Sequence, residues 1–270
     1  MISGKENLFE LLDKEDDLIA MVAPSFVVDF DFPEIVWGLR RIGFSKVSEI
    51  TNGARITNEQ ILSIILEDKS KTWISSTCPG VVNFVKKNYP HLEENLLKAK
   101  SPMVNEGMFL KSKFKDSKIV FFSPCPLKKF EGLETKSIDL AFTFKDLNEI
   151  FEEKGVKFPP KSELVNEKFD LFSDDETKIY PISGGLRETL ISMSGGKLKK
   201  EDFIVVDGIL NIKSILDEFD GEKYKNYLLV DILFCEGGCI NGPMIVQKKT
   251  SIEDRKSKVL EFRKRFKGTD

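Results

Sequence analysis

Leu228-Leu229-Val230-Asp231-Ile232-Leu233-Phe234-Cys235-Glu236-Gly237-Gly238-Cys239 is a dense apolar run that breaks into a glycine loop between two cysteines. A short run of that density reads as a strand buried on both faces, the kind found in a parallel sheet covered by helices. The glycines permit a tight loop and let the backbone approach a bulky group closely. Two further cysteines repeat the arrangement. Trp73-Ile74-Ser75-Ser76-Thr77 leads into Cys78, and Ile119-Val120-Phe121-Phe122-Ser123-Pro124 leads into Cys125. Loops that follow parallel strands all emerge on one edge of the sheet, where ligands collect. Cysteines placed there converge despite lying far apart in sequence.

The rest of the chain alternates in the same way, which predicts α/β architecture with mostly parallel strands flanked by helices. Strands are expected at 18–22, 46–50, 73–76, 118–122, 140–144, 203–206 and 227–234. Helical periodicity fits 33–42, 58–67, 81–88, 103–114, 147–154, 186–193, 212–219 and 252–266. Asp146 is a reasonable helix start. Residues 159–178 are the least regular stretch and read as a surface connection between two lobes. The expected organisation is one domain over 1–270, with lobes at about 1–135 and 136–250 and a terminal helix over 251–270.

Composition narrows the function. A formal net charge of -3 gives no general attraction to nucleic acid or to anionic lipid. The richest apolar stretch, 18–28, contains Pro24 and Ser25 and is too short to span a bilayer. The charged first residues lack the apolar core of a signal peptide. A cytoplasmic protein is expected. In the reducing cytosol, cysteines are more often metal ligands, reactive thiols or packing groups than disulfides. The chain has 4 cysteines and 1 histidine, His91, in the polar run Asn88-Tyr89-Pro90-His91. A histidine-rich metal site is excluded, and neither a P-loop nor a dinucleotide fingerprint is present.

Any one of these cysteines alone reads as a buried packing residue. All of them at strand ends, among glycine and proline, read as metal ligands. Cys78 precedes Pro79, a favoured first helical residue, so a thiolate there faces unpaired backbone N–H groups. Cys125 is held between Pro124 and Pro126, which stiffen the backbone. Zinc remains an alternative, although zinc sites usually show two short Cys-x-x-Cys pairs. Two dispersed cysteines and one wider pair are closer to an iron–sulfur cluster held between lobes.

These segments resemble the signature motifs of the [FeFe]-hydrogenase large-subunit catalytic domain. Ser75-Ser76-Thr77-Cys78-Pro79-Gly80 is similar to the first motif, and the segment from Ser123 to Glu131 to the second. Asp231 to Gly242, which carries the Cys235-Glu236-Gly237-Gly238-Cys239 loop, is similar to the third. Ala23-Pro24-Ser25, Gly43-Phe44, Gly53-Ala54, Lys100-Ser101-Pro102 and Ser183-Gly184-Gly185 are further matches. The resemblance implies a two-lobed α/β fold with the cluster in the cleft between the lobes. It implies a [4Fe–4S] cubane on Cys78, Cys125, Cys235 and Cys239. The last of these would bridge to a diiron subcluster carrying CO and cyanide. Lys128 matches the lysine that hydrogen-bonds a cyanide, and Pro24 and Ser25 match a segment lining the diiron pocket.

The departures from the family pattern concern proton supply. Thr77 stands where the proton-donating cysteine would be, and a hydroxyl has a far higher pKa than a thiol. Ile61 and Ile64 stand where the relay glutamates would be. Ser123 and Leu233 replace methionines at the diiron site, and Met103 replaces a pocket glutamine. The motif after Cys239 reads Gly242-Pro243-Met244 in place of three glycines. The family's ferredoxin-like domain has no counterpart here, so electrons are expected from a ferredoxin-type carrier or another cluster-bearing protein. Maturation proteins would install the diiron part. The resemblance leaves three functions: a redox or hydrogen sensor with slow turnover, a hydrogenase subunit that reversibly reduces protons, or a non-enzymatic [4Fe–4S] scaffold.

Overall fold

Two parallel sheets carry the chain. A computed structural model of the protein describes residues 4–14, 17–219 and 222–265, so the expected helix end at 266 and the tail to 270 lie outside the described residues. The strands are β1 (Leu18–Val22), β2 (Lys46–Glu49), β3 (Trp73–Ile74), β4 (Lys118–Ser123), β5 (Leu140–Thr143), β6 (Phe203–Asp207) and β7 (Leu229–Leu233). The helices are α1 (Gly4–Asp13), α2 (Glu34–Arg41), α3 (Thr51–Glu67), α4 (Pro79–Asn88) and α5 (Pro102–Lys113). They continue as α6 (Leu127–Thr135), α7 (Phe144–Glu153), α8 (Gly185–Met193), α9 (Ile209–Asp217) and α10 (Ile252–Lys264).

One sheet runs β2-β1-β4-β5 and the other β3-β7-β6, and every pairing is parallel. The registers set Leu18 against Lys118 and Trp73 against Leu229. β1 is buried along its whole length, as expected of an unbroken apolar strand. β7 is buried on both faces. Val230 and Ile232 pack with Val81, Val85 and Ile212, while Leu229 packs with Trp73, Phe203 and Leu186. Asp231 is accommodated in that second face because its carboxylate accepts the Arg187 N–H in the first turn of α8 at 3.1 Å.

The sheets interleave along the chain, so the expected lobe boundary near 135 does not coincide with the division between them. β3 joins β7, and β5 closes the sheet that β1 begins. The stretch 159–178 also ends differently from the surface connection expected of it. The Asp170 carboxylate accepts the Val47 N–H at 2.7 Å, and Thr177 and Lys178 are buried. α7 begins before Asp146, because Thr143 caps it. The Thr143 hydroxyl accepts the Asp146 N–H at 3.1 Å, and Asp146 accepts the Thr143 N–H at 2.7 Å. α3 begins at Thr51, a full two turns ahead of the expected 58. Gly53 makes that possible: a Cβ there would lie 2.2 Å from the Pro102 carbonyl oxygen, so only glycine lets α3 meet α5 this closely.

Candidate metal centre

Each cysteine is placed by a strand end and held by a local hydrogen bond. β4 stops at Ser123, whose hydroxyl accepts the Cys125 N–H at 3.3 Å and turns the loop toward α6. Cys78 occupies the cap position of α4, with Pro79 as its first helical residue. After β7, the Gly237 N–H donates to Asp207 at 2.9 Å and the Gly238 N–H to the Cys235 carbonyl at 3.0 Å. Gly238 has φ 95°, and a Cβ there would lie 2.5 Å from the Pro181 carbonyl oxygen. That conformation and that contact require glycine immediately before Cys239. Buried Arg255 on α10 fixes the following segment by donating to Asn241 at 2.7 Å and to the Gln247 carbonyl at 2.9 Å.

The strand ends enclose a cavity of about 680 Å³, part of it open to solvent. Cys78, Cys125 and Cys239 line it. So do all the other expected site residues: Pro24, Ser25, Thr77, Met103, Ser123, Lys128 and Leu233. Cys235 lies outside this lining. Ile61 and Ile64 do not reach it either; from α3 the wall takes Ala54, while Ile61 is fully buried in the apolar cluster with Trp73 and Leu186. Thr77 spends its hydroxyl on Ser75 at 3.2 Å. Sequence reasoning missed Tyr180 and Pro181, which also line the cavity and lie just past the irregular stretch. Tyr180 donates to Asn58 at 3.0 Å, and burial holds its phenol well above the ordinary range.

The sulfurs are close enough to feel one another. Burial raises the Cys125 thiol, Lys128 opposes the rise and Cys78 adds to it. Cys235 is pushed up to about 11 by burial and then by Cys78 and Cys125. Cys239 is raised well above the usual thiol value by burial and by all three other cysteines, against Lys128. A set of thiols that repel one another on ionising is what a bound cation would relieve. The cation already present is Lys128. Burial opposes its charge, but Glu131 at 2.7 Å and the thiols of Cys125 and Cys78 hold its pKa above the ordinary value.

The donor set fits an iron–sulfur group. All four cysteines are free and half-buried. Among the described residues, no group of His, Cys, Asp or Glu closes on one metal ion. A cubane offers each of four thiolates its own iron. The Ser25 hydroxyl, buried at the cavity wall with no hydrogen-bond partner among the described residues, fits a polar group bound in that space.

The fold and the cysteine-lined cavity define a hydrogenase-like α/β domain. The chain belongs to the family described as the iron only hydrogenase large subunit, C-terminal domain, whose model matches residues 16–243. It is 25% identical to iron hydrogenase 1 of Clostridium pasteurianum over 260 residues, covering 77% of this chain and 44% of that protein. It is 26% identical to the cytosolic Fe-S cluster assembly factor NAR1 of Encephalitozoon cuniculi over 187 residues, covering 63% of this chain and 51% of that one. The chain thus spans about half the length of these curated relatives. A solved structure of a variant of apo [FeFe]-hydrogenase HydA1 from Chlamydomonas reinhardtii superposes with a TM-score of 0.72 at 19% identity. The superposition covers 96% of this chain and 88% of that one, and establishes the shared fold. Among the described residues, no helix is long and apolar enough to cross a membrane.

Proposed function

We propose that this chain is a cytosolic iron–sulfur protein of sensory type, with a [4Fe–4S] cluster on Cys78, Cys125, Cys235 and Cys239 and a diiron group in the cavity. The observation that carries the reading is the cavity itself, where three cysteines, the Lys128 ammonium and the Ser25 hydroxyl, unpartnered among the described residues, face one space. The bound cluster would supply one-electron chemistry. The protein's own residues orient and seal it. Lys128 is aimed by Glu131 and by the Thr77 carbonyl, Ser25 offers a hydrogen bond, and Phe121, Ile50 and Met103 keep water out.

Slow turnover follows from proton supply. Thr77 has no acidic proton at neutral pH, and the helix behind it offers buried Ile61 and partly buried Ile64 in place of carboxylates. A site that holds its group but delivers protons poorly suits sensing of redox state or hydrogen. A ferredoxin-type carrier would exchange electrons with it. The likeness to the NAR1 assembly factor supports a second reading, a [4Fe–4S] scaffold without the diiron part. Infrared spectroscopy after co-expression with hydrogenase maturation proteins separates the two. CO and cyanide bands support the sensor, and a cubane with no such bands supports the scaffold.

A further inference from the structure

Behind the cavity wall lies a buried polar network that the sequence reading did not use. Glu106 on α5 sits one helical turn beyond Pro102 and Met103, which line the cavity, and is fully buried. Its Oε1 accepts the Ser48 hydroxyl at 2.8 Å and its Oε2 the Asn52 amide at 3.2 Å; the Gly53 N–H of α3 also donates to it. All three donors are neutral.

Next along β2, Glu49 is also buried, and its Oε2 accepts from Lys178 and from Ser173. Its Oε1 is buried with no partner among the described residues. Lys178 pairs in turn with Asp175 at 3.4 Å, and the Asp175 side chain is 34% exposed. The charged groups facing Glu106 are therefore Glu49 from β2 and, behind it, Lys178 and Asp175 from the 3-10 turn region at Glu176–Ile179. Each element of the network also touches the cavity, through Ile50 after Glu49, Ala54 after Gly53, Met103 before Glu106 and Tyr180 after Lys178.

Among the described residues, Glu49 has its cation and Glu106 has none. A buried carboxyl without a cation favours its neutral form. The network serves both forms. When Glu106 is ionised, Ser48 donates to it; when Glu106 is protonated, Ser48 can accept from it and turn its own O–H toward the Glu49 backbone carbonyl at 3.5 Å. Resting on the cluster reading above, we propose that Glu106 takes up one proton when the cysteine-held centre gains an electron and releases it on oxidation. The electron comes from a one-electron carrier and the proton from water; the bond that forms is O–H on a Glu106 carboxyl oxygen. Burial already sets this carboxyl at about 7, near where such exchange is useful.

The test has two arms. In the protein without metal, infrared spectroscopy against pH is expected to show a buried carboxylic acid band that fades around neutral pH and is missing in Glu106→Gln. In the reconstituted protein, the midpoint potential of the cluster is expected to be level in acid and to fall above about pH 7, approaching 59 mV for each tenfold drop in proton activity, the value for one proton per electron. Glu106→Gln, which keeps the size and the hydrogen bonds, is expected to flatten that slope. A purely structural carboxyl leaves the slope unchanged by the substitution, which overturns the proposal. A pH-independent potential in the unaltered protein overturns it without need of any variant. Failure to take up a cluster defeats the parent reading, and the coupling with it, and is told apart by the apo band still titrating.

Discussion

The Lys128 ammonium donates to the Thr77 carbonyl at 3.3 Å and so ties the start of α6 to the loop that carries Cys78. With Glu131 at 2.7 Å, it is fixed from two sides at the mouth of the thiol set. Lys128→Ala removes a charge-assisted hydrogen bond of about 1.5–3 kcal/mol and no covalent ligand. Iron and sulfide content are expected to stay near those of the unaltered protein, while any CO and cyanide infrared bands weaken and shift. Loss of the whole cluster in this variant would show that Lys128 holds the cubane itself.

Thr77→Cys restores a thiol at the cavity wall. A positioned proton donor is worth about 100-fold or more in rate. Because Ile61 stays buried among apolar side chains, the single change is expected to raise hydrogen evolution by less than that. A gas-chromatographic hydrogen assay on matured protein decides it. Ordinary hydrogenase rates before any substitution would mean that protons arrive by another route, and the sensory reading would fall.

Gly238→Ala is expected to disrupt the site through the backbone. The required φ of 95° costs a residue with a side chain about 1–3 kcal/mol, and the 2.5 Å approach to the Pro181 carbonyl adds a clash. Thermal unfolding should move down by several degrees and Cys239-dependent cluster content should drop. Unchanged stability and loading would contradict this account of the loop.

Stability should depend on pH through Glu106. Burial raises its folded pKa to about 7 from an ordinary 4.5. The folded state therefore prefers the protonated carboxyl. Its contribution is complete below about pH 4.5 and is lost as pH rises through about 7, a loss of about 3 kcal/mol. Denaturant unfolding at pH 5 and pH 8 is expected to show this decline, and Glu106→Gln to reduce it. Equal pH dependence in the two proteins would place the titrating group elsewhere.

The parallel sheets and the gathering of cysteines at strand ends were legible because buried strands are dense in apolar residues and stop sharply. α6 was not. Its only buried residue is Gly132, and Phe130 and Leu133 are exposed, so its apolar positions carry no helical period pointing to a core. The first turns of α3 were hidden by Asn52-Gly53, which reads as a turn but serves the close contact with α5. The order of strands across the two sheets could not be read either, since β3 is a short strand whose partner β7 lies far along the chain. Lys178 and Tyr180 escaped notice because they lie at and just past the end of an irregular stretch, and only tertiary contacts bury Lys178.

The central claim is tested most directly by anaerobic reconstitution with iron and sulfide, read by iron and acid-labile sulfide analysis together with Mössbauer spectroscopy. The account predicts a cubane, about four irons per chain beyond any diiron content. It also predicts severe loss of that cluster when Cys78, Cys125 or Cys235 is changed to Ser. A chain that instead binds a single zinc ion tightly through the same cysteines, and takes up neither iron nor sulfide, would contradict it.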